Sequence, residues 1–188
     1  MLSSSGLEDQ RSKRRKSEMA FDYKITATVT PDDLAKFGPL VPGRVALPSS
    51  RNPKDGIEGF FLVDTGASNC SIDQSVADDL GLTSSRTVVS HGLGGAVPTK
   101  CYQVMIFIPA KPLGNYPPQA IAVLGFPQEV GSVSLHKYHE GLGKSPGRII
   151  GVLGRNLLQF TRTTYEGLSG TITVEADAAA MQGAKKTT

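Results

Sequence analysis

The most constraining stretch of this sequence is an apolar run that ends directly on a carboxylate. Residues 60–63 read Phe-Phe-Leu-Val, which favours a β-strand, and Asp64, Thr65 and Gly66 follow at once. A carboxylate among apolar neighbours is costly unless donors reach it, and the Thr65 and Ser68 hydroxyls and the Gly66 amide are such donors. The stretch therefore predicts either a strand with an ordinary Asx-type turn, or a carboxylate held in place for chemistry.

A second apolar run, later in the chain, ends on glycine instead. Residues 149–158 read Ile-Ile-Gly-Val-Leu-Gly-Arg-Asn-Leu-Leu, so a β-branched run meets Gly154 and then a short amphipathic segment. Together, the Asp-Thr-Gly-Ala and Gly-Arg-Asn-Leu-Leu stretches, each after an apolar run, resemble the retropepsin-like aspartic proteases over residues 37–174. The resemblance implies an all-β fold, a pepsin-like closed β-barrel half-domain with one or two short helices that functions as a symmetric homodimer.

Composition divides the chain into a body and two tails. Its 188 residues, 39% of them hydrophobic, suit one globular domain, and 21 Gly with 12 Pro favour many short strands over long helices. We predict a disordered basic N-terminal tail at 1–20, the protease domain at 21–175 and a flexible C-terminal tail at 176–188.

Cys70 and Cys101 are expected as free thiols. With no apolar membrane span or signal peptide visible, the expected location is cytoplasmic, with no membrane partner.

The basic residues are concentrated in the N-terminal tail. Residues 1–24 hold six Lys or Arg against four Asp or Glu, which accounts for most of the net charge of +3. No aromatic residues interleave with the cluster at 11–16, so a solvated tail is favoured over a nucleic-acid contact. The nearly neutral body argues against nucleic acid as a partner.

Alternation and turn residues predict the remaining elements. Phe21 to Thr30 alternates strictly between apolar and polar residues, as a half-buried strand does. Asp73 to Leu82 carries a capping Asp73, an apolar stripe and Gly81 at its end, which predicts a short helix. Further strands are predicted at 39–47, broken at Pro42-Gly43, and at 87–90, 100–108, 120–124 and 165–174. In the last of these, Leu168, Ile172 and Val174 are expected to point inward. The other predicted elements are a turn at 31–37, a helix at 157–162, and loop-rich segments at 48–59, 109–118 and 125–148.

A glycine-rich hairpin is expected between two of these strands. Residues 91–97 read His-Gly-Leu-Gly-Gly-Ala-Val, and three glycines near a hairpin tip indicate exposed amides and mobility. In retropepsin-like enzymes the hairpin at this place is the flap that closes over the substrate. The resemblance therefore implies that Leu93, Gly94 and Gly95 contact substrate carbonyls, and an ordinary flexible hairpin is the alternative.

Peptide hydrolysis by two carboxylates requires a second copy of this chain. One carboxylate cannot at once take a proton from water and supply one to the carbonyl oxygen. Two carboxylates about 3 Å apart can, because repulsion keeps one of them protonated, and aspartic proteases are the standard example of this effect. The chain has a single Asp-Thr-Gly, and its other Asp-Gly, Asp55-Gly56, lies in a polar loop. We therefore predict a C2 homodimer with Asp64 at its axis.

The resemblance also implies roles for individual residues. Asp64 is the shared acid and base, Thr65 bonds across the twofold axis, and Gly66 lets the substrate backbone lie close. Gly154 packs beneath the catalytic loop. The residues implied to line the substrate cleft, besides those of the flap, are Ala67, Ser68, Val152 and Leu153, of which the last two equally suit a plain core. No cofactor is implied.

Arg155 lacks the partner that many viral relatives supply. In those enzymes a carboxylate follows Asp-Thr-Gly-Ala, whereas this chain has Ser68 at that position. Asp73 or a main-chain carbonyl is expected to replace the missing partner. The Ala-Ser form is common among cellular and pepsin-like relatives, so a free-standing cellular or bacterial enzyme is favoured over one cut from a polyprotein.

The expected activity is that of an aspartic endopeptidase acting on a peptide or protein substrate. A non-catalytic peptide-binding or dimerisation module on the same fold is the alternative, and the intact Asp-Thr-Gly argues against it. His136 and His139 stand three apart beside Glu140, but no further ligand is visible and glycines surround them. We therefore expect no metal.

Overall fold

The structure, a computed structural model, describes residues 21–92, 95–135 and 147–183. Within these residues the chain forms ten strands and four short helices. In chain order they are β1 (Tyr23–Thr28), α1 (Pro31–Phe37), β2 (Leu40–Ala46), β3 (Ile57–Val63), β4 (Ser71–Asp73), α2 (Gln74–Asp79), β5 (Arg86–Gly92), β6 (Gly95–Pro112), β7 (Ala122–Val133), β8 (Ile149–Leu153), α3 (Arg155–Leu158), β9 (Thr161–Glu166), β10 (Thr171–Ala176) and α4 (Ala178–Gly183).

Six of the strands close into a barrel. Their order is β2-β3-β8-β4-β7-β6, and β6 pairs back with β2. The β3–β8 and β4–β7 pairs are parallel, and the others are antiparallel. Closure leaves none of these strands as an exposed edge of the barrel. The predicted all-β fold with a closed barrel and a few short helices is confirmed.

A smaller sheet and a hairpin extend from the long strand β6. One end of β6 pairs with β1, which pairs in turn with β10, and β10 with β9. The other end pairs with β5 as far as Gly92 opposite Gly95. The two residues at that hairpin tip, Leu93 and Gly94, lie outside the described residues.

Successive side chains of β3 belong alternately to two apolar clusters. Phe61 and Val63 point into the barrel and join its main core, while Phe60 and Leu62 point outward. The outward pair packs on a second cluster, whose members come from α1, β2, β8 and the segment after β7. The buried members of this second cluster are Phe37, Leu40, Leu135, Ile149 and Val152.

The prediction that Pro42-Gly43 breaks the second strand is wrong, because β2 runs through both residues. β6 pairs with β2 only from Arg44 to Ala46, so Pro42 lies outside that ladder and its missing N–H costs no bond there. Gly43 is required for packing: a Cβ at this position would lie 2.7 Å from Cε2 of Phe61. Glycine therefore lets the Phe61 ring cross β2 inside the barrel.

Several predicted boundaries are also wrong. The turn at 31–37 is the helix α1, capped by the Thr30 hydroxyl, and α3 begins at Arg155, two residues before the predicted start. The loops at 109–118 and 125–148 are partly strand, because β6 and β7 form one long antiparallel ladder that carries both past their prolines.

The single strand predicted at 165–174 is a hairpin. β9 and β10 flank a turn at 167–170, so Leu168 is fully exposed and not inward, whereas Ile172 and Val174 are buried as predicted. Within the segment 176–188, predicted as a flexible tail, the structure has helix α4 with Ala178 and Met181 buried. The predicted N-terminal tail at 1–20 lies outside the described residues.

Helix α2 forms as predicted, and its cap ties it to a distant strand end. Asp73 is the N-cap, and its Oδ1 accepts hydrogen bonds from the Ser75 amide at 3.0 Å and from the Ser75 hydroxyl. Its Oδ2 accepts from the Leu135 amide at 2.6 Å, just after β7. Asp73 is 4% exposed, the one buried charged residue among those described. The carboxylate therefore joins α2 to the end of β7.

We expect Asp73→Ala to lower the free energy of unfolding by about 2–4 kcal/mol, because it removes a helix cap and a buried acceptor of the Leu135 amide. The matched control is Asp78→Ala on the exposed face of the same helix, with an expected effect within about 0.5 kcal/mol. Urea denaturation followed by circular dichroism measures both. Equal losses for the two variants would contradict the assignment.

Candidate functional site

The candidate site begins where two parallel strands end side by side. Val63, the last residue of β3, pairs with Leu153, the last residue of β8. Asp64 and Gly154 follow these two residues, and the Asp64 amide donates to the Leu153 carbonyl at 3.1 Å. Asp64 and Gly154 therefore lie at neighbouring positions where β3 and β8 end, although they are 90 positions apart in the chain.

The Asp64 carboxylate is held by its own loop. Oδ1 accepts a hydrogen bond from the Gly66 amide at 2.7 Å, and the Ala67 amide donates to the Asp64 carbonyl at 3.2 Å. A Cβ at Gly66 would stand 3.0 Å from Oδ1. Asp64 is half-buried, whereas Thr65 and Gly66 are exposed. The Asx-type turn expected as one of the two alternatives is present, and it holds the carboxylate in place; a role of that carboxylate in chemistry stays a prediction.

Arg155 clamps the loop from the side of α3. Its Nη1 donates to the carbonyls of Thr65 at 2.9 Å and Gly66 at 3.2 Å, and its Nη2 donates to the Ser68 hydroxyl at 2.8 Å. The Arg155 amide donates to the Ala67 carbonyl at 2.9 Å. Of the two expected replacements for the viral carboxylate, the main-chain carbonyl is observed. Ser68 itself supplies the side-chain contact.

Gly154 and Asn156 complete the contact between the two segments. A Cβ at Gly154 would lie 2.4 Å from the carbonyl carbon and oxygen of Asn69, so only glycine lets the two backbones approach this closely. The Asn156 amide donates to the Ser68 carbonyl at 3.1 Å, and its side-chain Oδ1 accepts from the Cys70 amide at 2.9 Å. The role of the Asn156 carboxamide was not predicted, although the Gly-Arg-Asn sequence marks its position.

Cys70 closes the loop as a buried free thiol. The Gly154 amide donates to its Sγ at 3.4 Å. Burial raises the pKa of the Cys70 thiol from 9.0 to about 11, while the Gly154 and Asn156 hydrogen bonds act in the opposite direction. Cys101 is also free and buried. Both thiols are therefore part of the packing and not part of an exposed reactive site.

The residues implied to line the cleft fall into different environments. Val152 is buried in the second cluster, and Ala67 packs against it from the loop. Leu153 is 1% exposed in the main core of the barrel. Ser68 and Gly95 are exposed, the latter at the base of the hairpin tip. Ala67 and Val152 thus belong to the same apolar cluster, whereas Leu153 points into the barrel.

The β5–β6 hairpin has one half-buried face. Val88, Ser90 and Thr99 alternate with exposed neighbours, and the Thr99 methyl group lies 3.1 Å from where a Cβ of Gly131 would stand. Val97 is opposite Ser90 and therefore shares this face nearer the tip, where it is 58% exposed. The hairpin directs this face toward the body of the molecule.

A comparison with protein families agrees with this geometry. A family model described as aspartyl protease matches residues 54–156, which is more than half of the chain. The chain belongs to the aspartyl protease family. A search of curated proteins finds no significant match. The family membership confirms the resemblance drawn from the two motifs, and the matched region contains both the Asp64 loop and Arg155.

Two further predictions concern metals and membranes. Among the residues that the structure describes, no group of three or more His, Cys, Asp or Glu residues is placed to hold a metal ion. His136, His139 and Glu140 lie outside those residues. No helix in the described part of the chain has the length and apolarity needed to span a bilayer.

We expect Asn156→Ala to lower the free energy of unfolding by about 1–2 kcal/mol, since the half-buried Cys70 amide loses its acceptor. Gln159→Ala, at the exposed C-cap residue that follows the same helix, is the matched control and should change stability by less than about 0.5 kcal/mol. Urea titration of both variants gives the comparison. A neutral Asn156→Ala would mean that the side chain does not hold the loop.

The stability of the protein should fall between pH 9 and pH 11. In that range an unfolded Cys70 thiol ionises while the folded thiol keeps its proton, so its contribution is full below pH 9 and is lost by about pH 11. The expected loss is about 2 kcal/mol. The measurement is the free energy of unfolding at several pH values for wild type and Cys70→Ala. The variant should show a shallower fall, and parallel curves would contradict the shift.

Proposed function

We propose that this chain is an aspartic endopeptidase that works as a homodimer, with Asp64 of each copy forming the catalytic dyad. The observation that supports this most directly is the Asp64 carboxylate, which is held by the Gly66 amide in a partly exposed loop of an aspartyl protease family member. Thr65 and Gly66 complete the proposed catalytic loop.

The need for a second copy rests on the single Asp-Thr-Gly of the sequence. Asp55, in the only other Asp-Gly, is occupied in the loop between β2 and β3, where it accepts from Ser50 Oγ at 2.7 Å and Asn52 Nδ2 at 3.1 Å. Asp73 is buried as a helix cap. Neither is available to face Asp64. A twofold axis beside the exposed Thr65–Gly66 segment supplies the missing carboxylate.

The proposed reaction divides the two protonation states between the copies. Repulsion between adjacent carboxylates keeps one ionised and one protonated, so the pair titrates as a unit. The ionised carboxylate takes a proton from the attacking water, while the protonated one gives its proton to the carbonyl oxygen of the scissile peptide. Arg155 and Asn156 keep each loop rigid during this exchange, because both bond to its main chain.

The proposed substrate is an extended peptide or protein segment. It lies between the site loop, residues 64–70, and the half-buried face of the β5–β6 hairpin, which acts as the flap. Main-chain pairing supplies most of the affinity and apolar contacts supply the preference. The proposed contacts are Ala67, Ser68, Leu93, Gly94, Gly95 and Val152, whereas Leu153 lies in the core of the barrel and is not proposed as a contact. Two buried free thiols suit a reducing compartment, and a cytoplasmic location is proposed on that basis.

Asp64→Asn should abolish cleavage of a mixed peptide library, with a loss of at least about 10²- to 10⁴-fold, because the amide can neither take nor supply the proton. Its sedimentation as a dimer should be unchanged. The matched control is Asp55→Asn, which keeps an acceptor in the β2–β3 loop and should cleave at the wild-type rate.

Three outcomes would contradict parts of this proposal. Equal digestion by wild type and Asp64→Asn would assign the activity to another mechanism or a contaminant. Full activity of a species that sediments only as a monomer would exclude a dyad formed across a dimer. Peptide binding by a wild-type dimer that never cleaves would favour the non-catalytic peptide-binding module.

A further inference from the structure

Arg155 carries a positive charge that no carboxylate of the described residues neutralises. Its hydrogen bonds go to the carbonyls of Thr65 and Gly66 and to the Ser68 hydroxyl. Four other arginines of the described chain are ion-paired, namely Arg44 with Glu58, Arg86 with Glu129, Arg148 with Asp79 and Arg162 with Glu175. Since a guanidinium keeps its proton in proteins, a full cation is held against the two residues that follow Asp64.

Donors remain available at this point of the site loop. Arg155 and Ser68 are both exposed. The printed bonds of Arg155 use Nη1 and one hydrogen of Nη2, so its Nε–H and one N–H of Nη2 have no acceptor among the described residues. The Ser68 hydroxyl accepts from Nη2 at 2.8 Å, which leaves its own hydrogen to donate. The two side chains therefore present adjacent donors beside a positive charge.

The other described surfaces of the proposed cleft are uncharged apart from Asp64. The half-buried face of the flap and the remaining described contacts consist of apolar, hydroxyl and glycine residues: Ala67, Val88, Ser90, Gly95, Val97, Thr99 and Val152. The proposed dyad shares one proton and so carries one negative charge at the scissile bond. Arg155 is therefore the positive group of the cleft within the described residues.

We infer that this cleft prefers substrates with a glutamate or aspartate side chain that binds the Ser68 hydroxyl and the Arg155 guanidinium. The inference rests on the proposed function, because it requires a peptide in the cleft. A carboxylate accepts charge-assisted hydrogen bonds from both groups. Arg86 shows the mode in this chain, since its Nε and Nη2 donate to the two carboxylate oxygens of Glu129 at 2.9 and 3.0 Å.

Charge and symmetry limit where the acidic residue lies in the substrate. The negative dyad repels a carboxylate directly next to the scissile bond, and Ser68 follows Asp64 by four positions in the loop. In the proposed dimer, the twofold axis places one Arg155 on each side of the dyad. An acidic residue is therefore favoured on both the N-terminal and the C-terminal side of the scissile bond, but not at the positions that flank it directly.

Paired peptides measure this preference. The probes have acetylated and amidated ends, derive from a sequence that the wild type cleaves in the mixed library, and carry Glu, Gln or Lys at each position in turn. Glu should raise kcat/KM over Gln by about three- to tenfold at one position on each side, and Lys should lower it. The blocked ends remove terminal carboxylates as the source. The preference should shrink at about 0.5 M salt, because salt screens an exposed ion pair.

Ser68→Asp tests the role of Arg155 while leaving the arginine and its carbonyl bonds in place. It introduces the carboxylate that many viral relatives carry at this position, so Arg155 gains a partner within the chain. The ratio of kcat/KM for the Glu and Gln peptides should then fall to about one. Ser68→Asn is the matched control of similar size without the charge, and it should keep the preference for Glu. Each ratio compares two peptides on the same enzyme, so a general loss of activity does not affect it.

The outcomes separate this inference from the proposed function. Cleavage by wild type with equal kcat/KM for the Glu and Gln peptides at every position would overturn the acidic preference and leave the dyad intact. A preference for Glu that Ser68→Asp retains would overturn the assignment to Ser68 and Arg155.

A wild type that cleaves no peptide would count against the proposed reaction, and binding then tests the inference. Fluorescence polarisation compares two labelled peptide pools, one containing Glu and one with Gln in its place. Tighter binding of the Glu pool by the wild type, lost in Ser68→Asp and kept in Ser68→Asn, would support the acidic subsite. Equal binding of the two pools by the wild type would overturn it.

Discussion

The structure of the candidate site depends on the contact between the site loop and the first turn of α3. Arg155 and Asn156 reach the loop through both main-chain and side-chain atoms, and Gly154 lets the backbones come within contact distance. A free loop of seven residues has many accessible conformations. This contact restricts the conformations of the site loop and so fixes the position of Asp64. The barrel supplies the contact by ending β3 and β8 together.

The residue after Asp-Thr-Gly-Ala is Ser68 and not a carboxylate, and this decides the chemistry of the clamp. Arg155 forms charge-assisted hydrogen bonds to two main-chain carbonyls and the Ser68 hydroxyl in place of an ion pair. The loop is therefore held without a second negative group near Asp64, and the positive charge of Arg155 stays beside the loop with no carboxylate partner among its hydrogen bonds.

The barrel and the smaller sheet differ in how their edges are closed. The barrel has no open edge, because β6 pairs back with β2, and it positions the Asp64 loop and the hairpin. Within the described residues, the smaller sheet ends on β9, which pairs with β10 on one side.

Local sequence patterns predicted the parts of the fold that depend on neighbours in the chain. The alternation of β1, the Asp73 cap and the Asp64 turn involve residues within a few positions of one another, so composition and spacing were sufficient. The errors have two causes. Pro42 lies beyond the β2–β6 ladder, which only the pairing of strands distant in the chain reveals. Leu168 lies in the turn of the β9–β10 hairpin, where the apolar pattern had predicted one continuous strand.

The sequence by itself determined the family, the all-β class and the place of Asp64 at the end of a strand, because these follow from two short motifs and from strand periodicity. Only the tertiary structure decided that Arg155 bonds to carbonyls, that Leu153 belongs to the core, and that β9, within the described residues, pairs on one side only. The reason is physical: a hydrogen-bond partner or a free edge is a property of segments that are far apart in the chain and close in space.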